Sequence, residues 1–141
     1  MYKKILCTMA AFILCTNIVF ADVKGSIKDI DSISNSLNTI FLSILKGDNY
    51  ENVKKDMQFI QSQINQEKKD ILNKIDGTES TEKINYLALI SVLNYYEISM
   101  LEVKDYYDKN DNQSYIRAVS SFNEGDTIFE IIKARLNYNQ K

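Results

Sequence analysis

Residues 50–75 read YENVKKDMQFIQSQINQEKKDILNKI. The apolar members are Tyr50, Val53, Met57, Ile60, Ile64, Ile71 and Ile75, and Glu67 interrupts the series. Steps of three and four residues recur throughout, the period of one face of an α-helix. Sustained in this way, the alternation predicts left-handed helix-on-helix packing rather than an isolated surface helix. The architecture therefore depends on what lies either side.

Gly47 and Gly77 flank the stretch, each after a helical pattern and each where a left-handed C-cap would sit. Between Gly47 and the helix, Asp48 and Glu51 have the spacing of a capping box. Upstream, Val23, Ile27, Ile30, Leu37, Phe41 and Ile44 predict a first helix over about 23–46. Downstream, Thr78 or Ser80 is positioned to cap a third helix running to about Asp108, with Glu79 and Glu82 at the positive end of its dipole. Within it, Tyr86 to Leu93 is apolar around nearly the whole circumference, so it has to be covered on several sides by neighbours or by a second subunit. A polar turn from Asp108 to Ser114 leads into a fourth helix with Tyr115, Val119, Phe122, Phe129, Ile132 and Leu136 on one face. The apolar phase continues across Gly125, which predicts one helix with a possible kink there. The expected fold is all-α, an up-down-up-down four-helix bundle roughly 40 Å long.

The amino terminus is of a different kind. Lys3 and Lys4 precede an apolar run from Ile5 to Phe20 that ends in Val19-Phe20-Ala21. This is the pattern of a secretory signal over residues 1–21 with cleavage after Ala21, leaving 22–141 as the single bundle domain. Retention as an anchor is the alternative, although Thr8, Thr16 and Asn17 interrupt a run already short for a membrane span. Lipid attachment at Cys15 is disfavoured by the bulky Leu14 before it. The expected location is exported, periplasmic or extracellular. The abundance of Ile, Asn and Lys fits an AT-rich, most simply bacterial, genome.

Both cysteines, Cys7 and Cys15, lie in the leader, and residues 22–141 have no Cys, His, Pro or Trp. No disulfide framework is expected, and a chain of this size does not need one. The commonest nucleophiles, general bases and metal ligands are missing. Without Lys3 and Lys4, 15 basic residues face 19 acidic ones, interspersed and with no basic stripe, so neither nucleic acid nor a strong membrane association is expected. No enzymatic activity and no cofactor are expected.

Individual candidates point the same way. Asp108, Asn110, Asn112 and Ser114 have the spacing of the first calcium-loop ligands, but Gln113 replaces the bend glycine and Val119 the bidentate glutamate. A solvated connection is the reading. Asn112-Gln113-Ser114 is a formal glycosylation triplet, relevant only in a eukaryotic secretory pathway. Bundle di-metal sites and axial haem ligation both use histidine. Glu67 and Glu97 approach the apolar faces and would form an acidic pair only if their helices brought them level. Ser120 and Ser121 have no base to activate them.

The aromatic residues stand out. In the expected topology Phe41, Tyr50, Phe59, Tyr95, Tyr96, Tyr106, Tyr107 and Tyr115 gather towards one pole, closing the core or offering a contact surface. Tyr95 and Tyr106 point away from Tyr96 and Tyr107 by helical phase, so they are the expected partner-binding residues. The reading that follows is an exported, non-enzymatic protein that binds another protein or itself. A carrier holding an apolar small molecule or lipid between helices, at Tyr86 to Leu93, is the alternative.

Overall fold

The computed structural model describes the backbone of residues 2–138, and the side chains of residues 23–136 apart from residue 81. Four helices, α1 (Tyr2–Leu45), α2 (Tyr50–Ile75), α3 (Ser80–Lys109) and α4 (Asn112–Tyr138), make an all-α four-helix bundle. The leader expected over 1–21 and its cleavage position fall on residues whose side chains lie outside the described set.

In α2 the seam is buried as its periodicity requires: Val53, Met57, Ile60, Ile64, Glu67, Ile71 and Ile75 all face inward. The α1 stripe is Val23, Ser26, Ile30, Ile33, Leu37, Ile40 and Ile44, with Ile27 only partly buried. The expected α1 seam therefore passed over Ile33 and Ile40 and took Ile27 instead of its polar neighbour. Ser26, 1 % exposed, conceals the register because a hydroxyl does not read as core.

The turns correct three expectations. Gly47 adopts the left-handed C-cap, with φ 83°, its N–H donating to Ile44 O at 2.9 Å and that of Asp48 donating to Ser43 O at 3.0 Å. This is the Schellman closure of a helix end, and it uses up Asp48. The cap of α2 is accordingly Asn49, whose side chain accepts from the Asn52 N–H at 3.1 Å, not the expected box of Asp48 and Glu51. Gly77 is not left-handed; the second such position is Asn110, with φ 51°. Neither Thr78 nor Ser80 caps α3. Glu79 occupies that place without a side-chain bond, and the Thr78 hydroxyl donates back to Lys74 O.

Helix α4 runs unbroken through Gly125. Its buried stripe is Ser114, Ala118, Phe122, Gly125, Phe129, Ile132 and Leu136, a heptad series in which three members are small. The small residues allow α3 and α4 to approach closely. Ser99 donates to Ala118 O at 2.8 Å, both residues being fully buried. A Cβ on Gly125 would lie 2.9 Å from Tyr96 Cε1 and 3.0 Å from Tyr95 Cβ. Glycine is present here for proximity. Beside it, Asp126 Oδ1 accepts from Ser34 at 3.1 Å and from the Tyr96 hydroxyl at 3.3 Å, which ties together α1, α3 and α4.

Candidate interaction surface

The apolar circumference of α3 is covered except along one outer strip, with Ala88 and Ile90 partly buried against the core on either side of it. Tyr86, Leu89, Val92, Leu93, Tyr96, Met100 and Val103 belong to the core. On the outer face Ile84, Leu87, Ser91, Asn94, Ile98 and Leu101 are all exposed, at steps of three and four residues. The row is about 25 Å long at 1.5 Å per residue. Its aliphatic members are 53 % (Ile84), 50 % (Leu87), 45 % (Ile98) and 58 % (Leu101) exposed. No charged residue occurs from residue 84 to residue 96. Single exposed leucines are ordinary, but an aligned, uncharged row is the kind of patch that marks an interaction surface.

Tyr95 and Tyr106 are both half-buried and lie on the α4 side of this row. Tyr95 packs its Cβ towards Gly125. The Tyr106 ring meets Tyr107 at 5.1 Å and Tyr115 at 5.8 Å between centroids, so part of its surface belongs to the bundle. Those contacts form the aromatic pole, where Phe41 meets Tyr115 at 6.2 Å and Tyr50 meets Tyr107 at 5.5 Å. The Tyr107 hydroxyl donates to Asp48 O at 2.9 Å, fastening the end of α3 to the α1–α2 turn. Burial, followed by the nearby Tyr106, pushes the Tyr107 phenol above its ordinary value. Tyr96 sits deeper, stacked on Phe122 at 5.5 Å, and Phe59 is 61 % exposed on α2. Through Phe122, which meets Phe41 at 5.4 Å, Tyr96 is continuous with the pole, whereas Phe59 does not join it as the sequence suggested. Tyr96 is enclosed by the α3–α4 contact, and Phe59 is out of phase with the α2 stripe.

The acidic candidates separate. Glu97 is bound by Lys68 and accepts from Gln61 at 3.1 Å, and the Lys68 bond holds its carboxyl below the ordinary glutamate value. Glu67 faces α1 instead. It is 7 % exposed, and its Oε1, with Ser26 Oγ and Gln63 Oε1, has no hydrogen-bond partner. Glu67 and Gln63 line a shallow cleft of about 370 Å³ between α1 and α2, along with Asp29, Asp70 and the apolar Ile33. Burial pushes the Glu67 carboxyl above its ordinary value; the Ser26 hydroxyl, close to the carboxylate although outside hydrogen-bond geometry, opposes this, and Asp29 adds to it. Among the described residues no group of three His, Cys, Asp or Glu side chains is placed to hold a metal ion.

The former calcium-loop candidate has local uses. Asp111 accepts from the Gln113 N–H at 2.9 Å and from the Ser114 hydroxyl at 3.0 Å, capping α4. Arg117 joins Glu102 at 2.9 Å and donates to Ser114 at 2.8 Å. The Gln113 and Ser114 bonds hold the Asp111 carboxylate below the ordinary aspartate value.

The outer row of α3 is the feature that sequence reading missed. Its signal was a second heptad phase, Ile84, Leu87, Ser91, Asn94, Ile98 and Leu101, two residues out of step with the core phase. What such a face can do chemically is exclude water against another apolar face. No protein-family model, curated protein or solved structure matches the chain.

Proposed function

We propose that this is an exported, non-enzymatic interaction protein of the cell envelope or exterior, an up-down-up-down bundle that contacts its partner through the outer face of α3, with Tyr95 and Tyr106 at the edge. The observation that carries this reading is the uncharged, exposed row of Ile84, Leu87, Ile98 and Leu101. The Lys3-Lys4 and Ile5 to Ala21 pattern supports export. Contacts between the end of α1 and the start of α4, and between the start of α2 and the end of α3, support the topology. Among residues 23–136 no helix is long and apolar enough to cross a membrane.

A carrier would need space among the apolar side chains. Leu93 is fully buried and the cleft between α1 and α2 is lined mainly by polar groups, so that alternative has no specific support.

Two measurements test the reading. N-terminal sequencing of protein recovered from the exporting host should begin at Asp22, and an intact Met1 rejects cleavage. Capture of host proteins should weaken by roughly 1–4 kcal/mol in a Tyr95→Ala/Tyr106→Ala variant, the range of interface anchors. Loss of capture that only follows loss of the thermal transition would make these tyrosines structural, and unchanged capture with an unchanged melt would remove them from the surface.

A further inference from the structure

The geometry points to a second copy of this chain as the occupant of the α3 outer face, docked antiparallel about a two-fold axis that crosses the helix between Val92 and Leu93. This inference rests on the interaction reading above and names its partner.

The order of residues along the row motivates it. Outward from that midpoint the exposed positions run Ser91 and Asn94, then Leu87 and Ile98, then Ile84 and Leu101. Each pair is matched in character: polar with polar at the centre, aliphatic with aliphatic in both outer layers. A two-fold operation therefore places Leu87 against Ile98 of the partner subunit, Ile84 against Leu101 of the partner subunit, and Ser91 against Asn94 of the partner subunit. Contacts that a two-fold axis generates are reciprocal, so the set is complete in one operation and closes at two chains. The Ser91 hydroxyl already donates to Leu87 O at 3.1 Å, so in the central polar layer its oxygen accepts from the Asn94 amide of the partner subunit, a pair that a shifted register would leave facing aliphatic groups.

Charge selects direction. In a parallel, in-register pairing the flanking positions would oppose Glu97 to Glu102 of the partner subunit and Lys104 to Lys109 of the partner subunit, each twice by symmetry. In the antiparallel pairing the corresponding flanks are Ala88 with Tyr95 of the partner subunit and Ile90 with Glu97 of the partner subunit. The like-charge contact that remains at the ends, Lys83 with Lys104 of the partner subunit, also occurs twice by symmetry, so the antiparallel pairing brings two such contacts against four; Glu97, Glu102, Lys104 and Lys109 carry Lys68, Arg117, Asp108 and Asp105 as counter-ions in either pairing. Antiparallel docking also gives Tyr95 a contact role.

Area sets the strength. A single helix face about 25 Å long and about 10 Å wide buries less than the roughly 800 Å² per partner of a standard stable interface, so the dimer is a weak, reversible one.

The test uses protein purified from an exporting host in whatever processed form it takes. Sedimentation velocity over a concentration series should show a monomer–dimer equilibrium, and Leu87→Asp should abolish it while leaving the melt of the dilute protein unchanged. Geometry is read in a Cys7→Ser/Cys15→Ser background: Leu87→Cys mixed with Ile98→Cys should form an intermolecular disulfide, whereas neither variant alone should. Disulfides in each single variant would overturn the antiparallel arrangement. A chain that stays monomeric throughout, with no mixed disulfide, overturns self-association. The interaction reading itself fails only if, in addition, Leu87→Asp and the tyrosine variant both capture host proteins as well as the parent does.

Discussion

A methyl group on Gly125 would stand 2.9 Å from Cε1 of Tyr96, a ring that is itself fully buried. The ring is stacked on Phe122 and its hydroxyl is bonded to Asp126, so it has no free direction in which to retreat. In an ordinary helix interior, Gly→Ala stabilises by up to about 1 kcal/mol. Here the overpacking cost of roughly 1–3 kcal/mol exceeds that gain, so Gly125→Ala should lower the melting temperature by several degrees. A raised melting temperature would mean that α3 and α4 are further apart than described.

Asp126 makes a second prediction at the same junction. Its carboxylate accepts from Ser34 and Tyr96, and replacing it with Ala leaves two hydroxyls without an acceptor. Asp126→Ala should cost roughly 1–3 kcal/mol, the penalty for orphaned buried donors. Tyr96→Phe should cost less, about 1 kcal/mol, because it removes the donor and leaves no buried orphan. In a double-mutant cycle by denaturant unfolding, the two changes should be non-additive. Additive losses would mean that the bond contributes nothing.

Adjacent residues on α2 provide an internal control. Ile60 is 1 % exposed and Phe59 is 61 % exposed. Ile60→Asp places an unpaired carboxylate at the centre of the seam and should cost at least roughly 3 kcal/mol, a large part of a domain's stability. Phe59→Asp should remain within about 0.5 kcal/mol of the parent, as surface changes do. Thermal melts of the two variants read the phase of α2 directly, and equal losses would reject it.

These residues also show how far the sequence could be read. The α2 seam was legible because each apolar residue in it serves one purpose, burial. In α1, Ser26 occupies a core position and the apparent seam shifted to Ile27. In α4, Gly125 looked like a point of bending because glycine carries no apolar signal, although it is buried in the stripe for want of a side chain. The caps went astray where two motifs competed for one residue: the Schellman closure took Asp48 and left Asn49 to begin α2. The outer row of α3 was hidden for the opposite reason. Tyr86 to Leu93 is so uniformly apolar that no single phase is visible in it, and only the observed burial separates the inward residues from Leu87.

The last prediction concerns the carboxylate left without full pairing in the α1–α2 interface. Burial raises the Glu67 carboxyl above its ordinary value of 4.5. The folded chain therefore binds this proton more tightly than the unfolded chain does. The stability that protonation contributes is fully present below the unfolded value and is lost as pH rises through the folded one. Glu67→Gln keeps the shape and removes the charge, so it should melt close to the parent near pH 4. At pH 7 the variant should be the more stable by roughly 1–2 kcal/mol, because the parent then carries a buried carboxylate with an unbonded oxygen. The signature is the growth of that difference with pH, measured by melts of both proteins in matched buffers. A difference that stays constant across the range would place the carboxylate in water, and one that reverses, with the parent gaining as pH rises, would place it in a complete ion pair.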